Sequence, residues 1–234
     1  MKLAHLGCGP RARQHAQAFE FVQKGRISAI CDWDPTRLEA FGRDFGIDPD
    51  HRYTDAREMI EKERPDVLDI VTAPTIRIEL MQLASDLGVP VTIVEKPIAV
   101  QGEDYRLIKA LCEQSPTRFV VNTQLHFHWQ NLMLKNDVAE GRIGEVRFLD
   151  ASARSTILDQ GVHVLELATT YNGGAAPARV FGQVSGTKAL APRSGLPKGV
   201  GYQPSPDIAE AAITFANGVQ ALLLSGAIAP SVGD

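Results

Sequence analysis

The chain has 234 residues, enough for one large domain or two small ones, with an ordinary globular balance of 44% hydrophobic and 22% charged residues. A formal net charge of −4 with no long basic run excludes an evident nucleic-acid or anionic-membrane surface. The longest apolar stretch, Val219 to Ile228, is broken at Gln220 and Ser225-Gly226 and is too short to span a bilayer.

The chain opens on an apolar strand, Lys2–Leu6, rather than on the charged-then-apolar pattern of a signal peptide. Further strands are predicted at Ile27–Cys31, Val67–Val71, Val91–Val94 and Phe119–Asn122. Helices are predicted between them at Arg11–Lys24, Pro35–Phe45, Ala56–Lys62, Ile76–Leu87 and Glu103–Gln114. Gly46 stops the second helix, and Asp55 with Glu58 reads as a capping box opening the third. This alternation predicts an α/β fold, a doubly wound parallel sheet over residues 1–121 with its ligand cleft at the carboxyl ends of the strands. Cys8, Cys31 and Cys112 are odd in number and scattered, which fits reduced thiols and a cytoplasmic protein; small buried hydrophobes are their default role.

From residue 122 the pattern changes. A helix is predicted near Asn131–Glu140, a strand at Glu145–Ala153, and a helix near Gly161–Tyr171. Long strands follow at Arg179–Thr187 and Ile208–Phe215, and Asn217-Gly218 signals a two-residue hairpin into Val219–Leu224. Residues 122–234 therefore read as an α+β domain with an open, mainly antiparallel sheet. Seven of the eighteen residues from Ala189 to Pro206 are Pro or Gly, which predicts a long irregular loop.

The first strand runs into Gly7-Cys8-Gly9-Pro10-Arg11-Ala12, and Asp32 stands twenty-three residues past Gly9 at the end of the second strand. Strand, glycine turn, helix, strand and acid in that register form a dinucleotide-binding arrangement. Gly7 permits the tight turn, Gly9 lets backbone approach a pyrophosphate, and Ala12 keeps helix and strand close. Pro10 suits the first helical position but has no N–H, so Arg11 and Ala12 are the phosphate donors. Asp32 can accept from both adenosine ribose hydroxyls and repels a 2′-phosphate, so NAD is expected over NADP. Arg37 is the cation that could oppose this, and Trp33 could pack on the adenine or be an ordinary turn residue. Thr72-Ala73-Pro74 and Glu95-Lys96-Pro97 also follow strand ends and could reach the same cleft.

Lys96 at a strand end can hold a substrate hydroxyl, or can form a structural ion pair with Glu95 or another acid. Asp159 and His163, at i and i+4, share a helix face if the helix begins by Asp159. A histidine beside a carboxylate can act as general base; a packed or solvated histidine is the plainer reading. Glu166 lies one turn further. His126 and His128 lack a second tight ligand pair, so no metal is expected.

Together these residues resemble the Gfo/Idh/MocA oxidoreductase family. The likeness rests on Gly7-x-Gly9-x-x-Ala12-x-x-His15, Asp32, the run from Asp66 to Pro74, Glu95-Lys96-Pro97, the run from Gly141 to Val146, and Asp159-x-Gly161-Val162-His163-x-x-Glu166. The resemblance implies hydride transfer between a nicotinamide and a carbon bearing a sugar or polyol hydroxyl. It implies Lys96, Asp159 and His163 as the catalytic group, with His163 taking the hydroxyl proton and Lys96 steadying the oxygen. Arg77 and His126 stand where the family often has His and Arg, so with Asp159 and His163 they are candidate substrate contacts. Family members usually continue beyond this point, which implies a short or truncated member with apolar surface at Val219–Ile228. A sugar or polyol substrate and a homodimer or homotetramer are expected. The alternatives are a non-catalytic NAD(H)-sensing regulator and an NAD-dependent glycosidase of the same family.

Overall fold

Burial on both faces of the first strand organises the N-terminal half. Along β1 (Lys2–Leu6), Ala4 and Leu6 enter one apolar cluster, while His5 faces the opposite way and meets the rings of Phe19 and Phe41. The computed structural model describes residues 1–186 and 205–229, which fall into two units meeting at Asn122 and Thr123.

The first unit alternates β1, α1 (Pro10–Val22), β2 (Arg26–Cys31), α2 (Pro35–Asp44), β3 (Arg52–Tyr53), α3 (Ala56–Glu63), β4 (Val67–Ile70), α4 (Arg77–Asp86), β5 (Val91–Glu95), α5 (Gly102–Gln114) and β6 (Arg118–Asn122). Every pairing is parallel, in the order β3-β2-β1-β4-β5-β6, so the doubly wound sheet expected from the alternation is present. Helices cover both faces. Ala12, Ala16, Leu38 and Phe41 of α1 and α2 pack with Ile30 and Val71 on one side. Met59, Ile60, Met81, Ala84, Ile108 and Leu111 of α3, α4 and α5 pack with Leu68, Ile70 and Val94 on the other. The expected start of α3 is a real cap, with Asp55 accepting the Glu58 N–H at 2.8 Å. α1 stops two residues early, because Gln23 takes a left-handed conformation and returns its N–H to Phe19.

The second unit holds α6 (Trp129–Ala139), β7 (Phe148–Ala153), α7 (Val162–Tyr171), β8 (Pro177–Ser185), β9 (Ile208–Phe215) and β10 (Gln220–Gly226). Its sheet has the order β7-β10-β9-β8, antiparallel except for β7 with β10. Ile213, Phe215, Val219 and Ala221 form its core with Leu149 and Leu165, whereas β8 is exposed along its whole length. β7 begins at Phe148 rather than Glu145, since Gly144 turns the chain at φ +79°. The hairpin is also longer than the two residues expected. Phe215 pairs with Val219, leaving Ala216, Asn217 and Gly218 as the loop. A two-residue type I′ turn needs positive φ at both centres. Here Gly218 alone takes it, at +87°, and Asn217 instead accepts the Val219 N–H through its side chain. The Pro/Gly-rich stretch lies outside the described residues, apart from Ser205 and Pro206. Among the described residues no helix is long and apolar enough to cross a membrane.

Candidate functional site

In the first unit the four segments singled out from the sequence follow β1, β2, β4 and β5, whose carboxyl ends share one edge of the sheet. Backbone geometry ties them together. Gly7 sits at φ +99°, donates its N–H to Cys31, and leaves no room for a Cβ, which would stand 2.4 Å from the Val71 carbonyl oxygen. Only glycine meets both demands. Gly9, the N-cap of α1, has an ordinary φ of −76°, and a Cβ there would meet nothing within 4 Å. Gly7 is therefore glycine for the fold, while Gly9 opens on free space at the first turn of α1. Pro10, Arg11 and Ala12 form that first turn, as expected.

Asp32 is buried and holds this turn in place. Its Oδ2 accepts the Cys8 N–H at 2.8 Å, and its Oδ1 accepts the Asp34 N–H at 2.8 Å and Arg37 Nη2 at 2.9 Å. Asp34 is committed to capping α2 through the Thr36 and Arg37 N–H groups. Trp33 is exposed, with the Arg37 guanidinium 4.9 Å from its ring centroid. Burial and the Asp32 charge push the Cys31 thiol up to about 12 and the Cys8 thiol also upward, so both behave as buried apolar groups.

Arg77, a candidate substrate contact, is tied to backbone in this structure. Its side chain is buried, and its guanidinium donates to the Thr72 carbonyl at 2.6 Å and to the Pro97 carbonyl, joining the loop after β4 to the loop after β5. Burial lowers its pKa to about 10, against the opposing pull of Glu95. Helix α4 directs the side chain under these loops, which a sequence motif does not encode. Lys96 is buried at the end of β5.

In the second unit Asp159 does not lie on α7. It falls in a single π-helical turn, Ile157–Gly161, that leads into the helix. The Thr156 carbonyl takes N–H contacts from Asp159, Gln160 and Gly161, which widens the turn. The Asp159 carboxylate accepts the Ser155 hydroxyl at 2.8 Å, and His163 on α7 is fully buried. A Cβ on Gly161 would come 2.7 Å from Ile157 Cδ1 and 2.9 Å from Ser225 Oγ, so the turn packs tightly on β10. Ser225 Oγ in turn donates to the Ser155 carbonyl at 2.7 Å. His126 Nδ1 lies 2.7 Å from Glu166 Oε1, which also accepts the Thr170 hydroxyl at 2.8 Å.

One cluster went unassigned in the sequence. In the first unit His15 on α1 meets Asp69 on β4 and Glu95 on β5, each at 2.9 Å, and Asn122 on β6 donates to Glu95 at 3.0 Å. An acid inside the apolar run Val67-Leu68-Asp69-Ile70 was the available signal, because a buried carboxylate requires partners.

Comparison with known proteins adds to this geometry. Residues 1–123 match the Gfo/Idh/MocA family model, an oxidoreductase family with an NAD-binding Rossmann fold. The D-apiose dehydrogenase of Paraburkholderia graminis is 31% identical over 209 residues, covering 79% of this chain and 54% of that protein. The inositol 2-dehydrogenase of Rhizobium meliloti is 25% identical over 149 residues, covering 64% of this chain and 44% of that protein. The chain thus spans about half the length of the curated relatives it matches. Among solved structures, an oxidoreductase from Agrobacterium radiobacter in complex with NAD+, L-tartaric acid and magnesium aligns with a TM-score of 0.82 at 25% identity. That alignment covers 100% of this chain and 68% of the other.

Proposed function

The chain belongs to this oxidoreductase family, with its NAD-binding Rossmann fold, and on that premise we propose that it is an NAD-dependent dehydrogenase. Its substrate class is a sugar, cyclic polyol or sugar derivative, oxidised at a carbon bearing a hydroxyl. The observation that carries this reading is the open space at Gly9 beside a turn pinned to Asp32. A pyrophosphate fits where a Cβ would find no neighbour, held by the Arg11 and Ala12 N–H groups at the start of α1.

Asp32 is assigned to the adenosine ribose. Its Oδ2 already takes the Cys8 N–H, so the hydroxyls approach Oδ1 once the half-exposed Arg37 swings aside. Asp32 and Asp34 together outweigh that one cation, which favours NAD over NADP. Bound NAD+ supplies the hydride acceptor. Lys96 donates to the substrate oxygen and steadies the charge that develops on it. A ring nitrogen of His163 takes the hydroxyl proton, and Asp159, held by Ser155, stabilises the imidazolium. His126, paired with Glu166, contacts a further hydroxyl. The exposed face of the second sheet supports a homodimer or homotetramer.

The test is NADH formation from NAD+ with D-apiose, inositols, aldoses and sugar acids. Turnover of at least one, abolished in Lys96→Ala with NAD+ affinity retained, is the expected result. No turnover across the panel, in samples that bind NAD+, would overturn the reading.

A further inference from the structure

His15 sits one helical turn inside α1 from Arg11, and its ring reaches across the sheet edge to three strands. Nδ1 is 2.9 Å from Asp69 Oδ2, Nε2 is 2.9 Å from Glu95 Oε2, and the same Glu95 oxygen accepts from Asn122 Nδ2 at 3.0 Å. Asp69 is fully buried, and Glu95 and His15 are nearly so. A carboxylate oxygen only accepts, so two of them at hydrogen-bond distance from the two ring nitrogens are satisfied together only by a ring carrying both protons. A neutral ring that took the Asn122 amide proton at Nε2 would set a lone pair 2.9 Å from Glu95 Oε2.

The surrounding charges agree. Burial opposes charging the ring, but hydrogen bonds to Asp69 and Glu95 outweigh it and push the His15 pKa up to about 9. Burial would raise both carboxyls, yet His15 holds each below the usual range, helped at Asp69 by His5 and at Glu95 by Asn122 and the Arg11 charge. His5 Nδ1 lies 3.0 Å from Asp69 Oδ2 without hydrogen-bond alignment, and Arg77 on α4 feels the charge of Glu95.

We infer that His15, as an imidazolium, is a positioning residue that clamps Glu95, and with it Lys96, to the helix that begins at the glycine turn. The clamp draws the phosphate-binding end of α1 and the lysine-bearing end of β5 onto one cation. Its effect on turnover rests on the dehydrogenase reading; the clamp itself stands on the hydrogen bonds. Glu95 and Lys96 are adjacent, so a free Glu95 side chain loosens the lysine backbone. Misplacing a reacting group by about 1 Å can cost up to roughly a hundredfold in rate.

The experiment uses the whole chain. In 15N-histidine spectra of the unsubstituted protein, His15 should show both ring nitrogens protonated at pH 7.5. His15→Gln, checked for a cooperative melt, should speed amide exchange at Glu95 and Lys96 and lower kcat roughly ten- to hundredfold, with a smaller change in KM for NAD+. Adding Glu95→Gln to His15→Gln removes one uncompensated charge and should restore part of the lost exchange protection. A neutral His15 ring at pH 7.5 overturns the inference, as does wild-type exchange at Glu95 and Lys96 in His15→Gln. A protonated ring with variant-sensitive exchange, in a chain that turns nothing over, supports the clamp and overturns only the dehydrogenase reading.

Discussion

The two units solve the same problem, burying one sheet, in different ways. The first places helices on both faces and runs its polar groups inward, so that Asp32, Asp69, Glu95 and Arg77 are all buried and all bonded to neighbours. The second gathers its core around Ile213, Phe215 and Ala221 and leaves Val180, Phe181 and Val184 of β8 exposed. A parallel sheet is covered on both sides because its crossovers are helices; a mixed, mainly antiparallel sheet carries no such requirement. The first unit is thus a scaffold whose loops are pinned from within. The second positions Asp159 and His163 with a locally distorted helix start packed on β10.

The largest effect expected from this contrast is at Gly7. Alanine there combines a positive φ with a Cβ 2.4 Å from the Val71 oxygen and should cost on the order of 3 kcal/mol in thermal or urea unfolding. Gly9→Ala is the counterpart. With open space and an ordinary φ it should change stability by less than about 0.5 kcal/mol while weakening NAD+ binding, read by isothermal titration. Equal destabilisation by the two would break the division between fold glycine and ligand glycine.

In the second unit, Gly161→Ala must push Ser225 from the Ser155 carbonyl. A loss of about 1 to 2 kcal/mol is expected, with displaced chemical shifts around Asp159. A fully stable variant with unshifted Asp159 would show that the π turn does not depend on this packing.

The pH dependence tests the buried cluster of the first unit. His15 is raised from 6.5 to about 9, so the stability it contributes is complete below 6.5 and is lost as pH climbs through about 9. Asp69 and Glu95 are lowered, so their contribution holds at neutral pH and fades only as acid protonates them. Melting temperatures from pH 5.5 to 10 should therefore fall on the alkaline side, and the fall should flatten in His15→Gln. The smallest effect is expected at Phe181, which is 77% exposed. Phe181→Ser should move monomer stability by no more than about 0.5 kcal/mol, while light scattering reports whether this face joins copies of the chain.

Much of the first unit was legible because its signals are local. Alternation, glycine spacing, the Asp55 cap and the acid at Asp32 are each written within a few residues. The hairpin loop was misjudged because Asn217 used its side chain rather than a left-handed backbone, a choice that becomes visible only with Val219 in place. The hydrogen bonds of Arg77 were not legible, because an arginine near a cleft looks the same in sequence whether its guanidinium faces solvent or two carbonyls.

The sequence by itself determined the alternation of elements apart from the two-residue β3, the parallel sheet, the glycine turn and the family, since periodicity and spacing survive without knowledge of contacts. Tertiary structure alone decided which polar groups pair. His15, Asp69, Glu95 and Asn122 are up to 107 residues apart, and only the crossovers of a doubly wound sheet bring them to one cation. A buried charge is stable only where its partner arrives, and that arrival is a property of the fold.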